Sequence, residues 1–211
     1  MTMRKILWFA LMLGSSGMAQ AHEVWIERDG NGPARMYLGE PAEVLPPGGD
    51  PEFAKLKAPR LLSGVDVRPV RKEGFIEVAV PAGDVRAWDD NVFDPWGPDD
   101  KKEGVVYYAR AGRSEATATM PLEIIPVTPG GTRFALIRDG KPLAGVAITI
   151  VSPDKWSKSV ITDANGRADI PMRERGRYLL AASIKDAGPA TIAGGTVSTV
   201  HRIATTTFVA P

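Results

Sequence analysis

Residues 139–183, DGKPLAGVAITIVSPDKWSKSVITDANGRADIPMRERGRYLLAAS, decide the fold. Val146, Ile148 and Ile150 alternate with Ala147 and Thr149, the period of two that sends one set of side chains to a core. Asp139-Gly140-Lys141-Pro142-Leu143-Ala144-Gly145 and Asp163-Ala164-Asn165-Gly166 break the alternation as turns, where glycine accepts positive φ. Outward from there, Thr132–Asp139, Lys158–Thr162, Arg167–Ile170, Gly176–Ser183 and Thr196–Phe208 read as short strands at regular spacing. That pattern predicts an all-β protein built as a sandwich with long loops.

Toward the N-terminus the same chemistry continues. Glu23–Glu27 alternates in period two and meets Asp29-Gly30-Asn31-Gly32, a hairpin signal, with a return strand over Ala34–Leu38. Residues 41–59 read as a loop with one short helix over Pro51–Leu56. Residues 65–70 and 74–80 form a second expected strand pair, and 105–109 with 116–121 a third. Between them, Trp88 to Asp100 is expected to be a long surface loop of aromatics and carboxylates. Its tryptophans either anchor it or meet a ligand. A boundary near Pro126–Gly131 divides a β-rich region, 22–126, from a sandwich, 127–211.

The first 21 residues have the grammar of an export signal. Arg4 and Lys5 precede an apolar run, Ile6–Gly14, and Ala19-Gln20-Ala21 is a processing site. Cleavage after Ala21 places the mature protein in the periplasm and removes Arg4 and Lys5. That leaves 24 of 26 Lys+Arg against 25 Asp+Glu. Such a balance, without a basic run, gives no footing for nucleic acid. The mature part has no apolar stretch of membrane-spanning length. The absence of cysteine excludes disulfides, blue copper, zinc thiolate and iron–sulfur chemistry, so any metal must take nitrogen and oxygen ligands.

Cleavage after Ala21 would make His22 the first residue. Its free α-amine and ring Nδ1 then close a six-membered chelate, and His201, the chain's other histidine, offers a second imidazole. These three nitrogens constitute a histidine brace, whose T shape suits Cu(II) in a tetragonal field. Val24, not a histidine, is third, which disfavours the square-planar amide mode of amino-terminal nickel or copper motifs. A fourth position is open to water or to a carboxylate such as Glu23, Asp90 or Asp94, and Trp25, Tyr107 and Tyr108 are the aromatic candidates around the ligands. Competing readings are a cut after Ala19, which abolishes the amine ligand, an ordinary strand role for His201, and core packing for Trp25.

Residues 139–183 resemble the transthyretin-like, carboxypeptidase-regulatory type of immunoglobulin-like sandwich. Taken whole, with its start Ala21-His22-Glu23-Val24-Trp25 and the return Tyr37-Leu38-Gly39-Glu40, the mature chain resembles a periplasmic family associated with nickel or cobalt uptake (nickel uptake substrate-specific domain type). The resemblance implies transition-metal handling, with nickel or cobalt beside copper, and a membrane metal transporter as recipient. The expected function is therefore metal capture or delivery for uptake or homeostasis. Alternatives are a brace-type copper monooxygenase, using the Trp88/Trp96 loop as a substrate face, and a periplasmic interaction module that binds no metal. No nucleophile elbow, metalloprotease helix motif or phosphate-binding glycine loop supports other catalysis.

Overall fold

A computed structural model describes residues 22–57, 59–62 and 67–211; the export signal expected over 1–21 lies outside them. The first strands are β1 (Glu23–Arg28), β2 (Ala34–Gly39), β3 (Arg60–Leu61), β4 (Val70–Arg71) and β5 (Ile76–Val78). Next come β6 (Val85–Asp89), β7 (Glu103–Ala111), β8 (Leu122–Pro126), β9 (Arg133–Arg138) and β10 (Lys141–Pro142). The last are β11 (Ala147–Val151), β12 (Ser157–Ile161), β13 (Arg167–Asp169), β14 (Gly176–Ile192) and β15 (Gly195–Ala210). The protein is all-β: among the described residues the only helical elements are 3-10 turns at Phe53–Lys55 and Asp99–Lys101. Among the described residues no helix is long and apolar enough to cross a membrane.

A seven-stranded sheet, ordered β12-β11-β14-β15-β7-β6-β3, forms the middle layer. β15 runs parallel to β7, with Ile203 opposite Tyr107 and His201 opposite Val105. Strands from both sides of residue 126 therefore share this sheet. One face packs against β8, β9, β10 and β13 through Tyr108, Leu122, Ile124, Phe134, Leu136, Ile148, Ile150, Tyr178 and Phe208. The other face meets the sheet β1-β2-β5-β4, burying Val24, Ile26, Met36 and Leu38 against Val85, Ala87, Val105, Tyr107, Ala109 and Ile203.

β1 is the edge of its sheet, and its outward carbonyls would be orphaned on burial. The middle layer supplies their donors. The Thr205 hydroxyl donates to Val24 O at 2.7 Å and Thr207 to Ile26 O, while Tyr107 Oη donates to His22 O at 3.0 Å. Thr206, facing the other way, donates to Ile124 O at 2.7 Å. Three consecutive buried threonines thus bind the middle sheet to both neighbours.

Several strand limits differ from the sequence reading. Residues 116–121 make no strand. Glu123, fully buried, accepts from the backbone N–H of Thr119 at 2.7 Å and Met120 at 3.1 Å, so donors that a ladder would have used go to a carboxylate. The partners of β7 are instead β6 and β15. β6 extends to Asp89 and takes Trp88 out of the loop; Arg60 stacks over the Trp88 ring at 4.2 Å. The expected pair over 65–70 and 74–80 shrinks to β4 and β5, with 63–66 outside the described residues.

Candidate metal centre

The register along β1 fixes where its first residue lies. Val24 sits against Thr205 and Ile26 against Thr207, both on the strand running in the same sense. Tyr107, cross-strand partner of Ile203, holds His22. His22 therefore lies in the Ile203–Tyr107 row, and the strand sense puts its backbone nitrogen on the side of the next row, His201–Val105. Two residues of strand rise separate the rows, roughly 7 Å. His201, Ile203, Thr205 and Thr207 share the face that β1 covers, because alternate strand residues point the same way.

Each histidine ring meets a carboxylate through Nε2. For His22 these are Asp50 Oδ1 at 3.2 Å and Glu52 Oε2 at 3.6 Å. For His201 it is Glu103 Oε2, at 2.5 Å. An ionised carboxylate only accepts, so Nε2 carries the proton and the lone pair of a neutral ring is left on Nδ1. Glu103 gets there because it stands two residues before Val105 on the same face of β7. The hydrogen bond with His201 draws the Glu103 carboxyl below its ordinary range.

The loop after β6 covers both rings. Phe93 meets His22 edge-on at 6.2 Å, and Trp96 lies 5.4 Å from His201. Trp96 is held there by reciprocal backbone hydrogen bonds with Glu103, each 2.9 Å. Lys55 stacks on the outer face of Phe93 at 4.6 Å and pairs with Glu52.

Glu23 is half-buried as a residue, yet its Oε2 is enclosed and has no hydrogen-bond partner among the described residues. Burial pushes its carboxyl up to about 8. Burial also raises the Tyr107 phenol, reinforced by the charges of Glu23, Glu52 and Asp89, so this group stays a neutral donor to His22.

The other sequence candidates scatter. Asp90 accepts from Ala193 N at 3.1 Å and faces Arg60 at 3.3 Å, while Asp94 is exposed. Trp25 is core: it stacks on Tyr37 at 5.3 Å and packs against Val151, Leu179 and Ala181. Tyr108 points into the opposite core and accepts from Arg202, so it does not share the face of His201. Asp50, Glu52, Glu103, Phe93 and the placement of Trp96 on His201 were not read from the sequence. Asp50-Pro51-Glu52 carries only a turn signal, since Asp50 Oδ1 caps Glu52 N at 2.7 Å. Among the described residues, no three His, Asp or Glu side chains by themselves form a metal-holding group.

Fold and site together define a three-layer all-β protein whose first strand lies along its last, with one histidine immediately before the first strand and the other within the last. The chain belongs to the family described as "Domain of unknown function (DUF4198)", whose model matches residues 31–186, a span that contains neither His22 nor His201. No curated protein matches it. Among solved structures it is similar to the Bacteroides ovatus mixed-linkage glucan utilization locus SGBP-B in complex with mixed-linkage heptasaccharide. Identity there is 15%, with a TM-score of 0.18, over 88% of this chain and 46% of that one. The chain thus spans less than half of that protein, and so low a score carries no argument.

Proposed function

We propose that the mature protein is a periplasmic transition-metal carrier, binding Cu(II) by preference and nickel or cobalt as the alternatives, for an uptake or homeostasis system with a membrane metal transporter as recipient. The α-amine and Nδ1 of His22 and the Nδ1 of His201 are its ligands. The observation that carries this reading is the hydrogen-bonded register of β1 on β15, which sends the chain end at His22 toward the His201 row.

Two further features support it. Both rings are engaged through Nε2, the arrangement by which carboxylates orient metal-binding imidazoles. The surrounding charge is also negative: Asp50, Glu52 and Glu103 flank the rings, and Glu23 adds an unpartnered oxygen suited to a fourth position. A dication in that setting recovers the charge stabilisation that burial denies Glu23. Three side chains alone do not make the site because one ligand is the amine, which exists only after cleavage. Nitrogen ligands favour copper over nickel and cobalt.

The test compares protein beginning at His22 with a variant carrying one additional alanine before it. Mass spectrometry of the exported protein fixes the natural first residue. Copper titration followed by electron paramagnetic resonance should report three nitrogens for the native start and a large affinity loss for the extended one. Equal affinity in the two would defeat the reading.

A further inference from the structure

Six residues beyond His201, roughly 20 Å along β15, Thr207, Phe208 and Val209 wall a cleft of about 460 Å³ that also contains Arg28, Arg113 and Arg177. The cleft is far enough from the histidines to be independent of them.

The charges around it do not balance. Arg28 is buried and donates only to carbonyl oxygens: Gly32 and Gly83 at 2.8 Å, Val80 at 3.0 Å and Asn31 at 3.3 Å. Arg113 reaches Gly131 O at 3.1 Å and Met172 Sδ at 3.4 Å, with Phe208 beneath its guanidinium at 4.8 Å. Neither forms an ion pair with a carboxylate among the described residues. Arg177 does, with Glu27 at 3.4 Å and with Asp29. The one carboxylate in the wall, Asp84, is taken up by Arg110 at 2.5 Å and by Ser114 through Oγ at 2.7 Å and N at 3.0 Å. Two guanidinium groups thus remain unneutralised. Burial lowers the Arg113 pKa, as expected of a cation lacking a counter-charge.

Phe208, Val209, Ala111 and Pro129 give the same cleft an apolar lining. A pocket of this size with apolar walls and a few convergent polar groups has the make-up of a small-molecule site. We propose that the cleft binds a small organic carboxylate with an apolar body. The free edge of the Arg113 fork clamps the carboxylate, Arg28 supplies background positive potential, and the Phe208–Val209 wall covers the body. A planar guanidinium matches a carboxylate in two-point geometry, which a lysine would not.

Benzoate is the probe, titrated into the metal-free full exported protein and followed by amide chemical shifts. The expected shifts are confined to Gly112–Ser114, Gly130 and Val209, and saturate with a Kd on the order of 1 mM. Arg113→Met should weaken binding at least tenfold, whereas Arg133→Met, at an exposed arginine paired with Asp169 outside the cleft, should leave it unchanged. If Arg113→Met fails to fold, the shift map of the unsubstituted protein decides alone. Absence of saturable shifts, a map elsewhere on the surface, or inorganic phosphate binding as tightly as benzoate overturns the proposal. None of these results bears on copper.

Discussion

The hydroxyl of Thr205 donates to the carbonyl oxygen of Val24 at 2.7 Å, joining the last strand to the first across 181 residues of sequence. Both groups are buried, so neither has water as a substitute partner. Replacement of Thr205 by valine keeps the shape and removes the donor. The expected cost is about 1–3 kcal/mol in denaturant unfolding, with Thr205→Ser retaining most of the stability. Because the same bond sets the register of His22, copper affinity should fall in the valine variant as well.

Asp50→Asn replaces the carboxylate 3.2 Å from His22 Nε2 by a neutral amide and so removes the negative charge that faces the ring. The expected result is a loss of copper affinity of about 10–100-fold, the usual effect of removing a partner that orients a metal-binding imidazole. Glu103→Gln should act similarly through His201. Isothermal titration of both variants checks this, with thermal unfolding to show that the fold persists.

Gly39 pairs with Glu23 across the hairpin at φ +150°, and an added Cβ would lie 2.9 Å from Leu45 Cδ2 and 3.1 Å from Asp50 Oδ2. Gly39→Ala should therefore destabilise by about 1–3 kcal/mol through overpacking and push Asp50 away from His22. Unfolding and copper titration on one preparation would separate the two effects; unchanged affinity would mean that Asp50 does not position the ring.

Asp84 should make the protein acid-sensitive. Burial works to raise its carboxyl, but hydrogen bonds from Ser114 and Arg110 win, and the folded value is lowered. The unfolded chain then takes up its proton first as pH falls. The stabilisation is present above the ordinary carboxylate range near 4 and is lost as pH drops through the lowered value. Melting temperature should decline below about pH 4, and Asp84→Asn should flatten that decline while lowering stability at neutral pH. On the proposed metal site, a copper titration should show a separate dependence, with affinity falling as pH falls because the amine and both imidazoles must shed protons.

The β1–β2 hairpin was legible because Asp29-Gly30-Asn31-Gly32 and the alternation beside it are local. β11 and the turn at Asn165-Gly166 were legible for the same reason. Residues 116–121 misled because their alternation is equally good for a strand. What cancelled it was Glu123, whose carboxylate captures the backbone donors of Thr119 and Met120 and two arginines besides. Thr205-Thr206-Thr207 was read only as strand, although three adjacent hydroxyls in a central strand must find acceptors on both faces.

By itself the sequence determined an all-β chain, its hairpins, its lack of thiol chemistry, and the two histidines on which a nitrogen site could draw. Only the tertiary structure decided that Glu103 meets His201, that Asp50 meets His22, and that Phe93 and Trp96 cover one ring each. The physical reason lies in range. Side-chain alternation and turn geometry are set by neighbours a few residues away. The parallel pairing of β15 with β7 and the seating of the β1 edge on Thr205 and Thr207 join residues about a hundred or more positions apart, through buried hydrogen bonds that leave no periodic trace in the chain.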